Sequence, residues 1–316
     1  MTSSEFKSTI LQKNTPLPGS TPESFTYKLT VKKKYEGLFI VDFFCLMIPQ
    51  SIGKKWKEKI KNNNLRVNGS AIDINYIVKA GDVCTHTTAP KLEPDVSINI
   101  ELLYDDDDIL IINKPSPLPV HASGRFIRNT LLSILEKTFP LEEFKLTHRI
   151  DANTTGIVLI AKNKTSANAI RQQFENKSIN KKYIALVEGI VENNKLTLTQ
   201  SIGNEVLSAG ARKINATGKE SMTEIEVINR FIEREQSLIE VTPLTGRTNQ
   251  IRLHLAAIGH PIVGDIGYKD SDYFKNHPFT YDDDQLYLHA NQLSFIHPTT
   301  KKKLTISADL PAKFPG

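Results

Sequence analysis

Four short stretches of this 316-residue chain hold residues able to do chemistry. In THRIDANTT, residues 147–155, Asp151 stands where a strand-like run breaks into Asn, Thr and Gly before the apolar GIVLIA resumes. A carboxylate on a loop held between two strands has the rigid support that a nucleophile or proton acceptor requires. The same position equally suits an Asx turn, in which the side chain bonds its own backbone two residues on. In NKKYIALVEG, Tyr183 opens an alternating strand, either as a core tyrosine or as a ring on which a base stacks.

The other two stretches add cations. LTGRTNQIRLHLAAIGHP predicts a helix with Thr248 as N-cap, a stripe of Ile251, Leu255 and Ile258, and Gly259 as its stop. Arg247, Arg252 and His254 are left over. Arg252 follows the first residue of the stripe, so packing constrains it, and a half-buried guanidinium demands an anion. NKPSPLPVHASGRF places His121 and Arg125 on a proline-stiffened loop, where a histidine is more often a surface residue than a catalyst.

Positioning these groups needs a sheet. From residue 97 onward the pattern shows strands in SINIELLYDD, DILIINKP, TGIVLIAKN, KYIALVEG, residues 221–228, LIEVTPLTG and KKLTISADL, with helices near 127–138, 165–176 and 248–258. Many strands and few helices predict an α+β fold with a largely antiparallel sheet. No solenoid-length repeat is visible. The acidic run Asp105 to Asp108 reads as the turn before ILIINK.

Composition narrows the function classes. A hydrophobic content of 39% suits globular cores, and a formal net charge of +5 leans modestly towards polyanionic partners. Cys45 and Cys84 are the only cysteines and fall in no ligand spacing, which argues for a reducing interior and against disulfide frameworks or structural zinc. His121, His148, His254 and His260 show no metal-ligand spacing either, so neither metal nor organic cofactor is expected. The longest apolar run, LFIVDFFCLMIP, is cut by Asp42 and is too short for a membrane helix, so a soluble, cytoplasmic protein without membrane partners is expected.

Residues 1–28, rich in Ser, Thr and Pro, read as a flexible tail, and residues 29–92 as a separate basic module. Within the module, GKKWKEKIKNNN predicts a helix burying Trp56 and Ile60 and surrounding them with lysines, which alone would suit any solvated surface helix. LRVNGSAIDINYIVKAGDVCTH follows as alternating strands with turns at Asn68-Gly69 and Gly81-Asp82. This helix pair and hairpin resemble the α-L RNA-binding module of ribosomal-protein type, on the strength of LRVNG and KAGD. Lys54, Lys55, Lys57 and Arg66 are its candidate phosphate contacts. Residues 93–316 form the expected catalytic domain, set off by the Pro-containing TAPKLEPDV.

Taken together, NKPSPLPVH, HRIDANTTG, Lys181 to Tyr183 and GRTNQIRLH resemble, in that order, four motifs of the RluA family of pseudouridine synthases. The departures are Ile150 for Leu, Thr155 for Ser, Pro117 for Gly and Asn249 for His. The resemblance implies a pseudouridine synthase fold, a mixed and largely antiparallel sheet flanked by helices, acting on ribosomal or transfer RNA; separately, a monomer is expected. It also implies that Asp151 is the catalytic carboxylate, that Tyr183 stacks on the target uracil, and that Arg252 pairs with Asp151. Arg149 would fill the gap left by the flipped nucleotide, with His148, His121, Arg125 and Arg247 as further RNA contacts.

Two other readings remain at this level. A glycoside hydrolase also sets a loop carboxylate beside an anomeric carbon, but usually with a second carboxylate roughly 5–9.5 Å away. A non-catalytic RNA-binding protein on the same scaffold would use only the basic module.

Overall fold

The computed structural model describes residues 1–48, 51–205, 211–269 and 286–315. Helix α1 (Ser3–Lys13) is started by a reciprocal cap. The Thr2 hydroxyl accepts from the Glu5 N–H at 3.2 Å, and the Glu5 carboxylate accepts from the Thr2 N–H at 2.8 Å. Phe6 and Ile10, four apart, are buried among Leu110, Ile112, Leu131 and Leu135, and the buried Asn14 amide donates to Thr138 at 2.9 Å. The expected flexible tail over residues 1–28 is therefore corrected. Its Ser/Thr/Pro content masked one apolar stripe, and burying two such side chains is worth about 1.5–3 kcal/mol each.

Two compact units divide the chain: Gly19–Glu93, and Met1–Pro18 together with Pro94–Gly316. The smaller unit contains β1 (Thr26–Thr30), α2 (Ile40–Met47), α3 (Gly53–Lys61), β2 (Leu65–Val67), β3 (Ser70–Ala71) and β4 (Val83–Thr87). Its antiparallel sheet runs β1-β4-β2-β3. Phe43, Phe44, Trp56, Ile60, Leu65 and Cys84 fill the core. Asn68 (φ 50°) and Gly69 (φ 80°) are both left-handed, as a two-residue hairpin of type I′ requires. The Asp82 carboxylate then accepts from Asn68 Nδ2, Tyr76 Oη and the Lys79 N–H at 2.8–2.9 Å, so the NG and GD turns form one polar clamp. Cys45 and Cys84 are both free.

The larger unit continues with β5 (Glu101–Asp105), β6 (Ile109–Lys114), α4 (Leu131–Thr138), β7 (Lys145–Leu146), β8 (Thr155–Ala161), α5 (Lys164–Glu175) and β9 (Asn180–Glu188). After these come β10 (Lys195–Leu198), β11 (Thr223–Phe231), β12 (Gln236–Pro243), α6 (Gln250–Ala257), α7 (Ile266–Lys269), β13 (Leu288–Ile296) and β14 (Lys303–Ser307). One ten-stranded sheet runs β10-β11-β12-β9-β13-β8-β6-β5, with β14 added to β13 and β7 to β8. Every named pair is antiparallel except β8 with β13, so the sheet is mixed and the fold α+β.

The strand sequences follow from where they lie. In β6, Leu110 and Ile112 face the core that includes α1 and α4, while Ile109 and Ile111 face the core that includes Ile170 of α5. β8 alternates in the same way, with Val158 and Ile160 against Ile157 and Leu159. Burial on both faces turns period-two alternation into a continuous apolar run. At the parallel junction, Gly156 has φ 108°, and a Cβ there would lie 2.3 Å from the Ala290 carbonyl oxygen. Only glycine lets the two backbones approach so closely.

Candidate active site

Asp151 sits in the loop between β7 and β8, and that loop is bolted down from below. The fully buried Lys114 at the end of β6 donates to the Pro115 and Ala152 carbonyls at 2.8 and 2.9 Å, and the Leu118 N–H donates to Ala152 at 3.0 Å. This ties the NKPSPLPVH loop to the HRIDANTTG loop. The Asp151 carbonyl, not its carboxylate, closes the turn by accepting from the Thr154 N–H at 3.1 Å. The carboxylate is left to point elsewhere: its Oδ2 accepts from Arg252 Nη1 at 3.2 Å.

Arg252 is buried in the second half-turn of α6, with a side chain 10% exposed. A second acid holds it more tightly, since Nε and Nη2 donate to Asp265 at 2.7 and 2.8 Å in a bidentate pair. The guanidinium also lies 4.8 Å from the centre of the Tyr268 ring. Burial opposes its charge, but Asp265 and then Asp151 outweigh that and raise its pKa above the ordinary arginine value. Asp265 itself is 1% exposed and precedes α7, whereas Asp151 is 33% exposed.

These groups line a cleft of about 1000 Å³ that also includes Tyr183, Lys181, Arg149, His121 and Arg247. Tyr183 is half-buried between two apolar cores, and its phenol is pushed above its usual pKa by burial and then by the charge of Asp151. The exposed Arg149 sits at the rim with Nη1 2.8 Å from His121 Nε2. An arginine can only donate, so that nitrogen accepts, and burial followed by the Arg149 charge lowers the His121 pKa.

Not all of the expected site residues line this cleft. Arg125 is not part of the cleft lining and lies over the Phe126 ring at 5.9 Å. Arg247 is exposed and donates to the Glu220 carbonyl at 3.2 Å. Lys54, Lys55, Lys57 and Arg66 are exposed in the smaller unit, Arg66 donating to the Gly69 carbonyl at 3.3 Å. His148 lines the cleft as a half-buried ring. Its Nε2 accepts from the Leu159 N–H at 2.9 Å, and burial, then the Lys181 charge, push its pKa down to about 3. A neutral ring fixed to β8 supports the loop and offers no cation to a phosphate. His254, left over in the sequence, is fully buried against Thr223, Ser221 and Gln200.

The helix carrying Arg252 also differs at its start. Its N-cap is Asn249 rather than Thr248, at φ 56°, and the Asn249 amide donates to Tyr268 Oη at 2.8 Å instead of capping the helix. Asp265 and Tyr268 were missed altogether. GHPIVGD holds no spacing that pairs it with a helix thirteen residues earlier; the one clue was that Arg252 needed a buried anion. Among the described residues, one acidic and histidine group, Asp106, Asp108 and His297, gathers closely enough to suggest a metal. Its atoms are already engaged: Asp106 accepts from Tyr104, His297 and the Asp108 and Ile109 N–H groups, and Asp108 accepts from Ser166 and Asn163. It is the turn before β6 locked by hydrogen bonds.

A family model described as RNA pseudouridylate synthase matches residues 108–257, which spans Asp151, Tyr183 and Arg252. The ribosomal large subunit pseudouridine synthase C of Buchnera aphidicola subsp. Baizongia pistaciae is 35% identical over 275 residues, covering 81% of this chain and 84% of that one. The mitochondrial tRNA pseudouridine(32) synthase of Saccharomyces cerevisiae is 29% identical over 266 residues, covering 83% of this chain and 57% of its own. Among solved structures, human RNA pseudouridylate synthase domain containing 1 is similar with a TM-score of 0.55 and 27% identity, over 69% of this chain and 86% of that chain. Fold and likeness together define an isomerase of RNA. The chain belongs to the RluA family of RNA pseudouridine synthases. No helix among the described residues is long and apolar enough to cross a membrane.

Proposed function

We propose that this enzyme isomerises uridine to pseudouridine in ribosomal RNA, as a cytoplasmic monomer, with Asp151 as the catalytic carboxylate. The observation that carries this reading is the Asp151–Arg252 contact of 3.2 Å at the floor of a cleft faced by Tyr183. The ribosomal substrate is supported by the 35% identical relative, whose name specifies the large ribosomal subunit and which this chain covers over 84% of its length.

Pseudouridine formation breaks the N1–C1′ bond of uridine and rejoins the base through C5, with no atom gained or lost. A carboxylate beside the ribose serves this by adding to C1′, by stabilising positive charge there, or by taking the C2′ proton. Arg252 fixes the direction of the Asp151 oxygens, and direction is where much of the rate of such a step lies. The Tyr183 ring holds the detached uracil by its face while leaving in-plane rotation free. Burial and the Asp151 charge hold the phenol in its neutral form, which suits a ring that stacks on the base.

A paired base must first leave its stack, at about a few kcal/mol. Arg149 stands exposed two residues before Asp151, so one loop supplies both the group that takes the vacated space and the acid. The smaller unit acts as an α-L RNA-binding module, with Lys54, Lys55 and Lys57 on the exposed side of α3 and Arg66 beside the hairpin contributing phosphate contacts. Incubation with ribosomal and transfer RNA tritiated at uridine C5, followed by carbodiimide mapping, tests the substrate. Release from ribosomal RNA at a discrete uridine is expected; release from transfer RNA alone would overturn the ribosomal assignment.

A further inference from the structure

We infer that Asp265 is a positioning residue for the reaction, holding Arg252 in the one orientation that aims its remaining amino group at Asp151. The inference rests on Asp151 being the catalytic carboxylate. Its basis is the geometry of a planar cation. Asp265 takes Nε and Nη2 together at 2.7 and 2.8 Å, and two bonds to one edge of a guanidinium fix its plane and its rotation within that plane. The guanidinium carbon also sits over the Tyr268 ring, 4.8 Å from its centre. With the edge fixed, Nη1 has a single direction, and Asp151 Oδ2 lies along it at 3.2 Å.

Asp265 is in turn fixed from outside the site. Its Oδ1 accepts from the Tyr268 N–H at 3.3 Å, and its own N–H bonds the Ile262 carbonyl at 3.0 Å. Tyr268 Oη accepts from the Arg212 N–H at 3.1 Å and from Asn249 Nδ2 at 2.8 Å, so the ring under the cation is clamped as well. Asn249, a departure from the family pattern, thus acts through Tyr268. The charges point the same way. Two acids and one guanidinium leave one net negative charge, and the acid open to the cleft is Asp151, at 33% against 1% exposed. Arg252 with Asp151 alone would form a neutral pair; Asp265 absorbs the cation's charge while using its shape.

A double-mutant cycle separates positioning from simple structural support. Single-turnover tritium release and RNA affinity are measured for the wild type, Asp265→Asn, Arg252→Lys and the double variant, with Asp151→Asn as control and circular dichroism to confirm folding. Asp265→Asn is expected to slow release about 100-fold with RNA affinity within twofold of wild type, as loss of one orienting donor or acceptor does elsewhere. A lysine has no fork for Asp265 to orient. In the Arg252→Lys background, therefore, Asp265→Asn is expected to cost less than about threefold more. Losses that multiply, or an Asp265→Asn rate within threefold of wild type, would overturn the inference while Asp151→Asn stays inactive. An active Asp151→Asn would overturn this inference and the catalytic assignment together.

Discussion

The cleft and the basic module both carry concentrated charge and treat it in opposite ways. In the cleft, Arg252 is buried, bonded on two edges by Asp265 and Asp151, and packed on an aromatic face. On α3, Lys54, Lys55 and Lys57 stand exposed around a buried Trp56 and Ile60. A fixed charge supplies direction, which is what bond making and breaking require. An exposed charge on a flexible stem supplies affinity through counterion release, with little demand on geometry. Variants in the two regions should therefore separate rate from salt-dependent binding.

The largest effect is expected from Arg252→Met. Removing the cation leaves Asp265 buried without its partner, which costs about 3–5 kcal/mol of stability, and single-turnover rate should fall about 1000-fold in the molecules that remain folded. Calorimetry and tritium release check the two parts; the salt dependence of RNA affinity should not change. Next, replacing Lys54, Lys55 and Lys57 together by Gln should weaken RNA binding about 10- to 100-fold at moderate salt. The slope of log affinity against log salt should fall by up to about 3, while the rate at saturating RNA drops by less than threefold. If the rate collapsed with affinity barely altered, the division of labour between the regions would be wrong.

Arg149→Ala belongs to the cleft loop but acts at its rim, so its effect should depend on RNA structure. A loss of about tenfold is expected on a folded RNA and under twofold on an unstructured oligonucleotide, since only the first has a stack to open. Equal losses on both would remove the proposed role of Arg149. The smallest consequence for catalysis is expected from Phe6→Ala in α1. It should cost about 3 kcal/mol of stability by thermal melting, because it empties a site between α1 and the sheet, and leave the rate of the folded enzyme unchanged.

Local pattern carried the sequence reading wherever one segment contained the whole signal. β6, β8 and β9 were plain from apolar runs, α6 from its stripe and terminal Gly259, and the NG hairpin from its two turn residues. What escaped notice depended on partners distant in the chain. β13 was not foreseen, because LHANQLSFI interrupts its alternation with His289, Asn291 and Gln292; the buried His289 ring bonds Thr155 Oγ1 at 2.8 Å and the Ala308 carbonyl at 3.3 Å. α1 hid a two-residue stripe inside a polar composition. His148, expected as an RNA contact beside Arg149, is a neutral acceptor fixed to β8, which its burial and not its sequence neighbours decides. Asp265 gave no local sign at all; only the unmet demand of Arg252 pointed to it.

The carboxylate of Asp151 can be put to the most direct trial by replacing it with an amide of nearly the same shape. Single-turnover tritium release by Asp151→Asn, on an RNA bound with wild-type affinity, should fall by more than about 1000-fold, with no pseudouridine found on mapping. Release within tenfold of the wild-type rate from a folded Asp151→Asn enzyme would contradict the central role given to that side chain.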